Sequence, residues 1–353
     1  MHASANGAAA GGLLTTLEFN CATPAFKAAE AALLVKLEHG AAGCHADYAA
    51  LESLQDDLVR RCTFAAALEN RELNRYSDVL PYDHSRVRLQ HVAPGDTDYL
   101  NASLLTSNPP AVADGAAAAA EVAAAAAAGE MVPWTYIAAQ GPLDHTRERF
   151  WQCVYEQNCS AIVMVTNCVE RSMRKCARYF PTRPGTKKTF GTYAVKTAAA
   201  EEVCPDLCRR TLMVAPTYRA GERHTLEHYH YEAWPDHGVP ASPLPLLHVC
   251  EHLLQTGAHA RPILVHCSAG IGRSGVFCVL DIVTRRLRQL LPDNVQGGAQ
   301  AVDCAALVAH MRSQRMGMVQ TRDQYVFCHT ALLHFVRQLD GRHQHQQLPQ
   351  HEQ

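Results

Sequence analysis

Pro262-Ile263-Leu264-Val265 is a short uninterrupted apolar run of the kind that forms a buried strand, and Val276 to Leu291 carries its apolar residues at helical spacing. Between the two runs the chain turns polar and rich in glycine, over His266-Cys267-Ser268-Ala269-Gly270-Ile271-Gly272-Arg273-Ser274-Gly275. The pattern predicts a strand, a tight loop and a helix in succession. Upstream, Pro24 to His39 has the character of an amphipathic helix that packs on the domain. Residues 107–132 form a run of alanines broken by Gly115, Glu121 and Gly129. Alanine favours helix but offers little surface to bury, so a flexible insertion between two strands is expected there.

A loop in front of a helix has a defined electrostatic character. The first backbone N–H groups of the helix lack partners and point, with the positive end of the macrodipole, at whatever the loop holds, and an oxyanion is the natural occupant. The same field, with Arg273 beside it, lowers the pKa of a thiol such as Cys267 from about 8.5 to somewhere in roughly 3.5 to 7.5. A thiolate attacking phosphorus forms a phosphocysteine that water later hydrolyses, so one hard step becomes two easier ones. The planar fork of Arg273 suits two equatorial phosphate oxygens, which lysine would hold less well. Gly270, Gly272 and Gly275 let the backbone approach a phosphate closely. The hydroxyl of Ser274 is placed to bond the departing sulfur. A buried structural cysteine followed by a plain helix cap is the ordinary alternative, but the full pattern is not that of a generic cap. The lysine of a Walker-type nucleotide loop is absent.

Breaking an aryl phosphate calls for a proton donor, because the phenolate leaving group has a conjugate acid of pKa about 10. Asp236, between a proline and a nearby glycine in Trp234-Pro235-Asp236-His237-Gly238-Val239-Pro240, stands in a stretch able to hinge. In isolation such a segment reads as an ordinary turn.

The cysteine loop resembles the signature H-C-x5-R-[ST] of the cysteine-dependent protein tyrosine phosphatases. The Trp234 to Pro240 segment is similar to that family's mobile acid loop, which makes Asp236 the general acid and then base. Asn74 to Val87 looks like the loop that selects phosphotyrosine, with Tyr76 stacking on the substrate ring to wall a deep slot and Asp78 accepting hydrogen bonds from the substrate backbone. Gln320-Thr321-Arg322-Asp323-Gln324-Tyr325 resembles the glutamine loop, which implies that Gln320 positions water and Gln324 contacts substrate. An amide can accept from water and donate to phosphate without bringing a repelling charge. Glu170 aligns with the glutamate that pairs with the signature arginine, and Lys175 with the lysine that contacts the acid loop. His266 and Trp234 stand beside these groups as supports, and Ser268, Ala269, Gly270, Ile271 and Gly272 line the phosphate cradle. Scaffold segments Asp98 to Ser103, Tyr136 to Pro142 and Phe150-Trp151 recur in the family's order.

The resemblance runs from about residue 45 to about residue 338. It implies one α/β domain, a highly twisted mixed sheet flanked by helices with the phosphate loop at a strand-to-helix junction. Residues 1–44 are then expected as an N-terminal extension carrying one helix, and 339–353 as a disordered tail rich in His and Gln. The implied enzyme is a classical, non-receptor protein-tyrosine-phosphatase with phosphotyrosine proteins as partners and signalling as its setting.

Composition narrows this further. A net charge of −2 gives no reason to expect nucleic-acid binding, and no segment reads as a secretory signal or membrane span. Fourteen cysteines without a secretory signal are expected as thiols in the cytoplasm. The spacing of Cys204, Cys208, His224, His228 and His230 fits no standard zinc pattern, so no metal or cofactor is expected. Oligomeric state is not written in the residues; a monomer is the expectation. An exposed thiolate at Cys267 should oxidise reversibly, closing on the backbone nitrogen of Ser268. Ser77 departs from the basic residue many family members carry there, which leaves the flanking preference open.

Two other classes share part of the pattern. A reader that binds phosphotyrosine without turnover typically lacks the cysteine, the arginine or the acid, and this chain keeps Cys267, Arg273 and Asp236. Phosphoinositide enzymes often carry lysines within the loop, where this chain has the uncharged Ser268, Ala269 and Ile271.

Overall fold

Alternation along three short strands builds the centre of the molecule. The computed structural model describes residues 24–53, 61–107, 134–219, 221–235, 238–289 and 298–339. Strand β3 (Thr135–Ala139), β4 (Ala161–Met164) and β11 (Ile263–His266) run parallel, with β11 between the other two. Tyr136, Ala138, Ala161, Val163, Ile263 and Val265 point into one apolar layer, whereas Ile137, Ala139, Ile162, Met164 and Leu264 point into the other. Burial on both faces explains why the sequence of β11 is an unbroken apolar run rather than an alternating one.

Outer strands complete a mixed sheet. Strands β1 (Arg86–Arg88) and β2 (Tyr99–Thr106) lie on one side; β10 (His224–Tyr231), β9 (Leu207–Pro216), β8 (Tyr193–Cys204) and β7 (Lys187–Phe190) lie on the other. Among the described residues the order is β1-β2-β3-β11-β4-β10-β9-β8-β7. The neighbouring pairs β3–β11, β11–β4 and β4–β10 are parallel, and the other neighbouring pairs described in this sheet are antiparallel.

Helices cover both faces. On one side, α1 (Pro24–Ser53), α4 (Leu244–Gln255), α5 (Gly272–Gln289), α7 (Cys304–Gln314) and α8 (Arg322–Leu339) share a single core. On the other, α3 (Arg147–Glu156) lays Phe150 and Trp151 against Tyr179. Two short α-helices, α2 (Thr63–Ala66) and α6 (Gly298–Ala301), also lie among the described residues.

Two boundaries differ from the sequence pattern. Helix α5 begins at Gly272, four residues before the apolar spacing does, because its first turn packs against the glutamine loop. Arg273 and Ser274 are thereby first-turn residues. Helix α1 runs on past His39 to Ser53, with a break at Glu38 to Ala41 where the backbone turns left-handed. Most of the alanine-rich run, residues 108–133, and the tail from 340 lie outside the described residues.

Candidate active site

The end of β11 and the start of α5 are separated by five residues, Cys267 to Ile271, and these form a tight cradle. Gly270 makes it possible: its φ is +75°, and a Cβ there would stand 2.1 Å from the carbonyl oxygen of Ala139. The Gly270 N–H donates to Cys267 Sγ at 3.2 Å. A backbone dipole therefore points at the sulfur, as the sequence implied. Cys267 is only 4% exposed. The exposed sulfur expected for ready oxidation is instead recessed, because the loop closes around it. Ser274 differs from expectation as well, since its hydroxyl is buried without a hydrogen-bond partner rather than bonded to the sulfur. A buried hydroxyl left this way costs about 1 to 3 kcal/mol.

Beneath the cysteine runs a chain of neutral hydrogen bonds. His266 Nδ1 lies 3.1 Å from the carbonyl oxygen of Cys267, and its Nε2 lies 2.7 Å from the Tyr179 hydroxyl, which in turn lies 2.8 Å from His228 Nε2. Burial pushes His266 down to about 3 and His228 well below the ordinary histidine range, so both rings stay uncharged. The two rings and the phenol fix the carbonyl without placing a second positive charge under the loop.

Arg273 is held by a carboxylate from another part of the chain. Its Nη1 and Nη2 meet Glu170 Oε1 and Oε2 at 2.6 and 2.9 Å, a bidentate pair with side chains 13% and 5% exposed. Glu170 sits on the hairpin β5 (Val169–Glu170) and β6 (Met173–Arg174), whose turn residues Arg171 and Ser172 both have positive φ. Thr166 Oγ1 and the Asn167 N–H donate to the same Glu170 oxygen at 2.9 and 3.1 Å. Arg273 Nη2 also donates to the Pro235 carbonyl at 3.2 Å, and the guanidinium lies 5.9 Å from the centre of the Trp234 ring. The arginine is thus tied to the segment that carries Asp236. Asp236 itself lies outside the described residues.

Other predicted residues gather at the same loop. The Tyr76 hydroxyl is 2.9 Å from Ser268 Oγ, which donates to the main-chain carbonyl of Lys175 at 3.0 Å. Asp78 is exposed, next in sequence to the buried Val79 whose carbonyl accepts from Asn101 at 2.8 Å, and no hydrogen bond ties its side chain to the loop among the described residues. Gln320 and Gln324 cover Gly272, where a Cβ would meet Gln324 Oε1 at 2.9 Å and Gln320 Cβ at 3.1 Å. Gln324 Oε1 accepts from the Gln320 N–H at 3.0 Å, which sets the two amides relative to each other. Lys175 is half-buried beside the loop, and its part in the site on this geometry is played by its main chain.

Sequence reasoning missed the residues that brace the loop from behind. Arg315 is fully buried, and its guanidinium donates to the carbonyls of Gly270 and Ala269 at 2.9 and 3.0 Å, to Ser103 Oγ at 3.1 Å and to Asn101 Oδ1 at 2.8 Å. Burial lowers its pKa to about 10, still far above neutrality. Arg75 does similar work at the rim, donating to the carbonyls of Gly141, Arg174 and Pro142 at 3.0, 3.2 and 2.8 Å. No local pattern marks either residue, because their partners come from distant segments. Replacing Arg315 with methionine should leave several buried acceptors unpaired and destabilise the fold by about 3 to 5 kcal/mol. Urea denaturation followed by circular dichroism measures this, and a loss below about 1 kcal/mol would contradict the assigned brace.

One strand end thus holds a recessed cysteine, an arginine anchored by a carboxylate and a glycine-rich loop. Residues 70–334 match the family model described as protein-tyrosine phosphatase. The chain is 36% identical over 305 residues to tyrosine-protein phosphatase 99A of Drosophila melanogaster, covering 83% of this chain and 21% of that protein. It is 36% identical over 290 residues to receptor-type tyrosine-protein phosphatase eta of Gallus gallus, covering 81% of this chain and 18% of that protein. With the protein-tyrosine-phosphatase PTP1 of Arabidopsis thaliana it shares 35% identity over 280 residues, covering 78% of this chain and 74% of that protein. The chain spans about a fifth of the length of the first two relatives.

Proposed function

The chain belongs to the protein-tyrosine phosphatase family, and from that premise we propose that it hydrolyses phosphotyrosine in proteins through a phosphocysteine intermediate. One observation carries the reading: the Cys267 sulfur lies at the base of a loop whose amide points at it, beside an arginine held bidentately by Glu170. We assign Cys267 as nucleophile, Asp236 as general acid and then base, and Arg273 with the amides of Ser268 to Gly272 as the phosphate cradle. Gln320 holds the attacking water and Gln324 contacts the substrate, while Tyr76 and Asp78 form the slot that takes the phosphotyrosine side chain and its backbone.

In the first step the sulfur attacks phosphorus as the phenolic oxygen leaves with the proton of Asp236. Negative charge on the equatorial oxygens is met by Arg273 and the loop amides, which are already in place and need no reorganisation. In the second step water attacks the phosphocysteine, Asp236 takes the water's proton, and the sulfur leaves as thiolate. His266, kept neutral by burial, donates to the Cys267 carbonyl throughout.

The catalytic domain is read as residues 45–338, and the enzyme as a non-receptor form working in the cytoplasm. Its chemistry supports a reducing compartment, because the nucleophile must remain a thiol and every cysteine among the described residues is unpaired. No helix among the described residues is long and apolar enough to cross a membrane.

Replacement of Asp236 by alanine tests the assignment of the acid. A positioned general acid contributes roughly 10²- to 10⁴-fold, so kcat should fall by that factor while affinity for a phosphotyrosine peptide persists. The variant should then capture phosphotyrosine proteins from lysate, and vanadate, which occupies the cradle, should release them. An Asp236→Ala enzyme with the parent's kcat would remove Asp236 from the mechanism.

A further inference from the structure

Gln320 ends a segment whose backbone is in an unfavourable state. Val319, immediately before it, is β-branched and has φ +57°, in the left-handed region such residues avoid. Conformations of this kind persist only where the surroundings over-determine them. The surroundings here are specific. Buried Arg312 donates from Nε to the Met318 carbonyl at 3.0 Å and from Nη2 to the Val319 carbonyl at 2.9 Å, while its Nη1 donates to the carbonyl of Leu51 at 2.8 Å. The Val319 N–H donates to the Ile271 carbonyl of the phosphate loop at 3.2 Å. The next carbonyl, that of Gln320, accepts from the Tyr48 hydroxyl at 2.5 Å.

Tyr48 and Leu51 belong to α1, outside the residues that match the family model. Tyr48 is 4% exposed, with the Arg312 guanidinium 5.3 Å from its ring centre and the Tyr325 ring at 6.0 Å. Burial raises the hydroxyl's pKa, so it remains a donor. The same stretch of α1 is moored separately, by the Tyr325 hydroxyl donating to Asp47 at 3.2 Å.

We propose that Tyr48 is a positioning residue for the second half of the reaction: its hydrogen bond to the Gln320 carbonyl sets where the Gln320 amide stands, and hence where water meets the phosphocysteine. The assignment rests on the reading of Gln320 as the residue that holds water. In that step the Cys267 S–P bond breaks, a water oxygen bonds to phosphorus, and the water's proton passes to the Asp236 carboxylate. The first step, in which the phenol leaves, uses no water and should not depend on Tyr48. The N-terminal helix thereby acquires a kinetic role in addition to its packing.

Displacements of about 1 Å at a reacting group cost as much as 10²-fold. Loss of one hydroxyl loosens Gln320 without removing it, so Tyr48→Phe should slow phosphoenzyme decay by about 10-fold. Rapid-quench measurement with a phosphotyrosine peptide resolves both steps, reading phenol release for the first and decay of acid-trapped phosphocysteine for the second. Expected is an unchanged first step, within about 2-fold, and accumulation of phosphoenzyme. Tyr325→Phe, which loosens α1 without touching Gln320, should lower Tm while leaving the ratio of the two rates at the parent value. The proposal is overturned if decay in Tyr48→Phe matches the parent, if both steps slow together, or if Tyr325→Phe shifts the ratio equally. A parent enzyme that forms no phosphocysteine at all would overturn the phosphatase mechanism itself, and the Tyr48 assignment with it.

Discussion

Replacing Cys267 with serine should reduce phosphate release from a phosphotyrosine peptide to below about 10⁻⁴ of the parent rate, the scale seen when an essential nucleophile is removed. The substitution changes one atom. Gly270 N–H would still point at the side chain and Arg273 would still be held by Glu170, so the cradle should keep its affinity for the phosphorylated peptide. What is lost is the sulfur nucleophile, because an alcohol is far harder to deprotonate than a thiol. Malachite-green detection of phosphate reads turnover, and calorimetry with the peptide reads binding. Turnover within a hundredfold of the parent would sink the phosphocysteine route. The same assay should be indifferent to EDTA.

The second large effect is expected at Arg273. Arginines that stabilise a transferring phosphoryl group are worth about 10³- to 10⁵-fold, and Arg273→Lys should lower kcat/KM by at least about 10³-fold. Lysine keeps the charge but loses the fork, and in this protein the loss is double. The parent guanidinium meets both oxygens of Glu170 and also the Pro235 carbonyl, so it links the hairpin, the loop and the acid segment. A lysine ammonium can meet one Glu170 oxygen but not the planar pair, and it cannot bridge to Pro235 at the same time. Because Glu170 is largely buried, Arg273→Ala should in addition destabilise the fold by about 1 to 3 kcal/mol, having removed the bidentate pair while Thr166 and Asn167 still donate to the carboxylate. Steady-state kinetics and thermal unfolding separate these effects. If Arg273→Lys loses less than about tenfold in kcat/KM, the bidentate role is wrong.

Legibility in the sequence followed the distance over which each interaction acts. The phosphate loop was readable because its parts are consecutive: an apolar strand, a cysteine, glycines, an arginine and a helix. Glu170, Gln320 and Tyr76 carry no local signal strong enough to stand alone, and they were placed by resemblance to a family whose order of motifs they repeat. The structure brings all three to the loop, Glu170 through a hairpin with two left-handed residues and Gln320 through Val319. Arg315, Arg75 and Arg312 were not read at all. Each satisfies main-chain carbonyls of segments far away in sequence, and an arginine that will be buried looks no different from one that will be solvated. The recessed position of Cys267 and the unpartnered hydroxyl of Ser274 were likewise beyond reach, since burial depends on how completely the loop closes.

From the chain of residues alone came the candidate nucleophile, the strand-loop-helix that carries it and the buried strand behind it, because local backbone preference and apolar patterning act between neighbours. Only tertiary structure decided which buried charges brace that loop, and that a tyrosine from the N-terminal helix bonds the Gln320 carbonyl. Those contacts are made by groups that meet only once the sheet and helices have packed, and no spacing rule along a chain encodes a meeting between residues 48 and 320.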